Sequence, residues 1–183
     1  MALQIVEGIS ITLESTTLGG KDLSIEPKLQ EQSEWCWAAC LDMVLEANAD
    51  FSKNQCDFAN AAYELTGCCL APSSSLCNQP IPVIQFRQEY ERYGFAAQFY
   101  NGSISFNAVK LEVDADRPVQ VGVSWTGGGG HAMLITGWDQ EGTEQFVFVT
   151  NSLDRTKTRV RYSDFLTVSN QGTWNWSWTG IKR

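Results

Sequence analysis

The chain changes character near Pro118, and that change limits the folds open to it. Ahead of it, apolar residues recur at helical spacing; after it, they fall in β-rich runs between turns. From 36 to about 47, the apolar residues Trp37, Cys40, Leu41, Val44 and Leu45 form a helical stripe in an Ala/Leu/Met/Val/Glu background. A second helix is predicted over 57–65 with Asp57 as its cap, and a third over about 82–93, ending at Gly94. A fourth, opened by Ser105 or Asn107, runs to 113 and must stop before Pro118, since the residue ahead of a proline avoids helical geometry. "PVQVGVSW", "HAMLITGW", "QFVFVTN", "TRVRYS" and "TWNWSWTGI" read as strands. At the start, "LQIVEGISITL" alternates like a strand, Gly19-Gly20 read as a turn, and a short strand is expected near 23–25. The prediction is an α+β fold in one domain over 1–183. It comprises an extension (1–27), a helical lobe (about 28–116) and an antiparallel β lobe (about 117–183).

Charge and hydropathy remove several functions. With 13 Lys+Arg against 21 Asp+Glu, no large basic face is available for a nucleic acid. No apolar run approaches the roughly 18 residues of a membrane span. "MALQIVEGISITLEST" lacks the basic and apolar regions of a signal peptide.

The reactive residues are divided between the halves. All six cysteines (36, 40, 56, 68, 69 and 77) lie in the first half, and the only histidine, His131, lies in the second. Cysteine–histidine chemistry therefore requires the halves to meet. Cys36 stands at a predicted helix start, but that position favours a thiolate by only about 0.3–1 kcal/mol. Reaching a thiol pKa of roughly 3–4 takes about 6–7 kcal/mol. An imidazolium must supply the difference, and only His131 can. Cys40, one turn further on, reads as a small buried hydrophobe. His131 follows "WTGGGG", so Gly129 and Gly130 are candidates for a cleft edge that admits close approach. The group orienting the imidazole is Asn151, at the end of the next strand, with Asp154 and then Asp139 as alternatives. Oxyanion donors are the Cys36 amide and a side-chain amide from Gln30 or Gln32.

Together, Gln30-x5-Cys36-Trp37-Ala38-Ala39, the glycine-rich approach to His131 and Asn151-Ser152 resemble the papain-like cysteine peptidases. The likeness is nearest to their bacterial branch with a "WCWAA" nucleophile helix and covers about residues 28–180. It implies a papain-like fold of two lobes, helical and β, with the active site between them. It also implies roles: Cys36 as nucleophile, His131 as base and then acid, Asn151 as orienter and Gln30 in the oxyanion hole. Leu153 stands where papain has a tryptophan that shields the histidine–asparagine bond. Trp35 and Trp37 brace the helix start, and one of them is a candidate for the cleft wall.

The implied activity is peptide hydrolysis by a monomer on a protein or peptide substrate, with no metal, cofactor, nucleic acid or membrane. A deamidase or acyltransferase on the same scaffold is an alternative. An inactive binding module, using a face of Trp174, Trp176 and Trp178 as its ligand surface, is another. Cys56, Cys68, Cys69 and Cys77 form a local cluster whose spacing lacks the paired C-x2–4-C pattern of zinc sites. Disulfides suit it better, with the adjacent Cys68 and Cys69 bonded to Cys56 and Cys77 in one order or the other. Free thiols remain the alternative, so the cluster favours an exported protein and its reduced form a cytoplasmic one.

Overall fold

A computed structural model describes residues 19–49 and 53–183; the predicted N-terminal strand lies outside them. Helix α1 (Cys36–Ala49) has no glycine or proline, and residues 37–45 are all buried. A helix buried on every side belongs to the core. Its buried acid, Asp42, is matched by Lys28 Nζ at 2.8 Å, and Lys28 also reaches Glu46 at 2.6 Å. Such pairing is what makes a buried charge tolerable. Helix α2 (Gln55–Tyr63) is capped by Asn54, not by Asp57. Asp57 sits three residues further on, where its Oδ2 accepts the Asn54 N–H at 3.2 Å. A 3₁₀ turn, Val83–Gln85, leads into α3 (Phe86–Arg92). Helix α4 (Phe106–Asp114) opens at Ser105, whose Oγ accepts the Ala108 N–H at 3.2 Å.

The described strands are β1 (Gly19–Asp22), β2 (Ala96–Asn101), β3 (Val119–Trp125), β4 (Gly130–Glu141), β5 (Glu144–Asn151), β6 (Thr156–Arg161) and β7 (Gly172–Lys182). They form one antiparallel sheet in the order β2-β7-β3-β4-β5-β6, with β1 also on β4. Strand β4 is long enough to pair β3 at its start, where Val123 faces His131, and β1 near its end, where Asp22 faces Gly137. Helix α1 packs on β4 and α3 on β2, and one cluster of buried side chains runs from Trp37 and Val44 to Val121 and Leu134.

Three local expectations are corrected. Gly19-Gly20 form strand, not a turn, and 23–25 are not a strand, although the Leu23 N–H still bonds Thr136 O at 2.8 Å. A glycine pair carries no side-chain alternation, so its pairing with β4 is invisible locally. Strand β2 comes from the segment read as helical lobe, and its Ala-Ala-Gln start has weak β propensity. A short helix, α5 (Tyr162–Leu166), follows β6 directly.

The cysteine cluster resolves as Cys56–Cys69 and Cys68–Cys77 disulfides, which leaves those sulfurs no thiolate to offer a zinc ion. Among the described residues no helix is long and apolar enough to cross a membrane.

The three tryptophans of β7 do not share a ligand surface. The register against β3 shifts between Gly122 and Val123, which face Trp176 and Trp174 respectively. Trp174 then packs on Tyr162 and Phe165, Trp176 on Phe86, and Trp178 on Phe99. Trp174 and Trp178 are buried. The Trp176 indole lies directly on Gly122, where an added Cβ would fall 1.6 Å from a ring carbon. Gly122→Ala is therefore expected to lower stability by about 1–3 kcal/mol through overpacking. Chemical denaturation measures this, and a variant as stable as the parent would show that the ring is not seated there.

Candidate active site

Helix α1 and strand β4 bring the two reactive residues to one cleft. Cys36 is the first residue of α1, and its thiol is partly exposed. The backbone amides of Ala132, Trp37 and Cys36 itself favour the thiolate form of its sulfur. Those of Cys36 and Trp37 belong to the helix start, where amides lack intrahelical acceptors. His131 is the second residue of β4, and the turn before it closes with the Trp125 N–H on Gly129 O at 3.1 Å. Gly128 and Gly129 hold φ of 94° and 79°, which side chains with a Cβ rarely adopt.

The cleft, of about 280 Å³, is lined by Cys36, Trp37, Gly129, Gly130, His131 and Trp176 among others. Of the proposed cleft residues, Trp37, Gly129 and Gly130 are among those at its wall. Trp35 does not line it; its ring is buried behind the helix start.

Asn151 Oδ1 lies 2.8 Å from His131 Nε2 and also accepts the Leu153 N–H at 3.1 Å. An amide oxygen can only accept, so Nε2 carries a proton and Nδ1 is the nitrogen left to exchange one. Trp125 stacks on the imidazole at 6.3 Å with ring planes 17° apart. Leu153, at the position of papain's shielding tryptophan, is half exposed. Sequence reasoning missed Trp125 because its place beside His131 depends on the β3–β4 hairpin. Of the alternative orienters, Asp139 is bound to Arg159 at 2.7 Å. Asp154 Oδ1 accepts from Thr156 Oγ1 at 2.7 Å, while its charge still acts on His131.

Gln30 has a different set of partners from the one expected. Its Nε2 donates to Gln32 O at 2.9 Å and Ser33 O at 2.8 Å, so both amide hydrogens are committed to the loop ahead of Cys36. Its Oε1 accepts from the buried Ser152 Oγ at 3.0 Å, and its backbone N–H bonds Ser152 O at 2.9 Å. Gln30 thereby ties the Cys36 loop to the end of β5, next to Asn151.

Burial acts against separated charges at both reactive groups. It pushes the Cys36 thiol up, against the pull of the Ala132 and Trp37 amides. It pushes His131 down, against the Asn151 hydrogen bond and the Asp154 charge. A lone thiolate or a lone imidazolium is disfavoured, whereas a proton passed between them creates both charges together, each the other's counter-ion. Removing the Asp154 charge should lower the His131 pKa further. Asp154→Asn is then expected to move the alkaline limb of the pH profile for Cys36 alkylation to lower pH, by less than about one unit. A limb that stays in place or moves up would contradict this electrostatic reading.

A family model described as "Peptidase_C39 like family" matches residues 22–181. No curated protein matches the chain significantly. Among solved structures, it is similar to a double glycine motif protease from an AMS/PCAT transporter, determined with a leader peptide. That match has a TM-score of 0.56 at 11% identity, over 89% of this chain and 95% of the other. The peptidase domain of Streptococcus ComA, a bi-functional ABC transporter, aligns with TM-score 0.53 and 10% identity, over 87% and 99%. A structure from work on the mite allergens Blo t 1 and Der p 1 aligns with TM-score 0.53 and 9% identity, over 97% and 75%. At such identities the structural matches establish the fold, and the family match carries the assignment. The chain belongs to the Peptidase_C39 like family, cysteine peptidases with a papain-like fold.

Proposed function

We propose that this chain hydrolyses peptide bonds with Cys36 as nucleophile, His131 as proton carrier and Asn151 as the residue that orients His131. The observation that carries this reading is the 2.8 Å contact between His131 Nε2 and Asn151 Oδ1, on a ring that lines one cleft with Cys36. In the first step the Cys36 thiol passes its proton to His131 Nδ1, and the thiolate attacks the peptide carbonyl. The Cys36 N–H, at the helix start, is the donor we assign to the developing oxyanion. Gln30 joins it only by releasing one of its loop carbonyls. Collapse of the tetrahedral intermediate breaks the C–N bond as His131 protonates the departing amine, leaving a thioester on Cys36. Water, deprotonated by His131, then releases the acid and restores the thiol.

A peptide suits the cleft, which is lined by the apolar side chains of Ile81, Val83, Phe86 and Trp176 and by the glycines Gly129 and Gly130. The leader peptide bound by the similar double glycine motif protease supports the same substrate class. Cys40 is fully buried, and its thiol is pushed well up by that burial, so it is no rival nucleophile.

Incubation with a broad peptide library should yield new termini that disappear in Cys36→Ala and persist in Cys40→Ala. An epoxide-type thiol inhibitor should label Cys36 alone near pH 6. Cleavage that survives Cys36→Ala would sink the assignment. One-dalton shifts or amine adducts without new termini would redirect it to amide or acyl transfer.

A further inference from the structure

The residues that flank Cys36 take their long-range hydrogen bonds from one short stretch. Trp35 Nε1–H donates to Cys77 O at 2.8 Å, and Trp37 Nε1–H donates to Gln79 O at 3.2 Å. The Glu34 N–H bonds Asn78 Oδ1 at 2.9 Å, and Asn78 Nδ2 donates to Ser33 Oγ at 3.0 Å. Positions 33, 34, 35 and 37 are thus all anchored on 77–79. Both indoles are almost fully buried, so water offers their N–H groups no substitute acceptor.

That stretch has no helix or strand of its own to hold it. Residues 64–82 are turns and irregular chain, and the cross-link between Cys68 and Cys77 fastens them. Both of its cysteines are buried, whereas Cys69 of the second cross-link is exposed. The chain then runs from Gln79 straight into Pro80 and Ile81, which line the cleft. The same loop therefore sets the nucleophile from behind and shapes the wall beside it.

We propose that the Cys68–Cys77 disulfide is a positioning element for Cys36, acting through Trp35, Trp37 and Asn78; this rests on Cys36 being the nucleophile. The cross-link removes freedom from the loop and presents Cys77 O and Gln79 O as fixed acceptors. Without it the carbonyls drift, the indoles follow, and the first turn of α1 shifts relative to His131. A displacement of about 1 Å at a reacting atom can lower a rate by on the order of 10²-fold. The chain therefore needs Cys36 as a thiol and Cys68–Cys77 as a disulfide at the same time.

The test compares Cys68→Ser/Cys77→Ser with Cys56→Ser/Cys69→Ser, each assayed below its own unfolding temperature. Two readouts are taken: kcat and KM on a peptide that the parent cleaves, and the pH profile of Cys36 alkylation by iodoacetamide. For the first pair, kcat should fall about tenfold or more with KM within about threefold, and the alkylation midpoint should rise. The second pair should stay within about twofold in kcat, with its alkylation profile in place. A folded first pair with parental kcat and profile, or equal losses in both pairs, would overturn the proposal. If the first pair does not fold, Trp35→Phe decides: it keeps an aromatic ring but loses the N–H toward Cys77 O together with part of the indole's volume. The same two shifts are expected of it, and parental behaviour would overturn the proposal. Should the parent cleave no peptide, the proposed hydrolysis fails, while the alkylation profiles still decide the role of the disulfide.

Discussion

Cys36 stands where a helix buried over residues 37–45 begins, and the backbone of Ala132, on the strand that carries His131, acts on its thiol. Everything else in the site follows from that contact. A helix start leaves its first amides without intrahelical acceptors, and the Trp37 and Cys36 amides there act on the thiol together with the Ala132 amide of β4. The thiol is thereby held in a cleft of low polarity, where neither it nor the imidazole gains by ionising alone. A proton passed between the two groups would create both charges together, each with a counter-ion that a lone ionised group lacks.

The two sides of the cleft are joined by polar ties as well as by apolar packing. On one side Gln30 meets Ser152 through both its backbone and its side chain, and Ser152 follows Asn151 directly. On the other, the indoles beside Cys36 meet carbonyls of the disulfide loop. Buried hydrogen bonds of this kind add little net energy each, but leaving one unmade is costly, so they select one arrangement out of many that apolar packing would accept. The structure thus uses apolar burial for stability and a few directed bonds for alignment.

Much of the fold was legible because its signals are local. The stripe of Trp37, Cys40, Leu41, Val44 and Leu45 marks a helix whatever surrounds it, and the runs after Pro118 mark strands in the same way. Gly19-Gly20 and Ala96-Ala97 failed that reading, since strands without alternation are recognised only by the neighbour they pair with. The β7 tryptophans failed it differently: alternation predicts one face, but a register shift against β3 sends their rings to separate partners.

The chain's sequence alone determined which groups could do chemistry: one histidine, one cysteine at a helix start, and an asparagine one strand beyond the histidine. These are matters of residue type and short-range period. Only the tertiary structure decided that His131 Nε2 meets Asn151, that Trp125 lies near-parallel to the imidazole, and that Cys68 pairs with Cys77. It also turned the Gln30 amide toward its own loop. Each of these depends on where a hydrogen bond or ring finds its partner across the fold, and no periodicity along the chain records that distance.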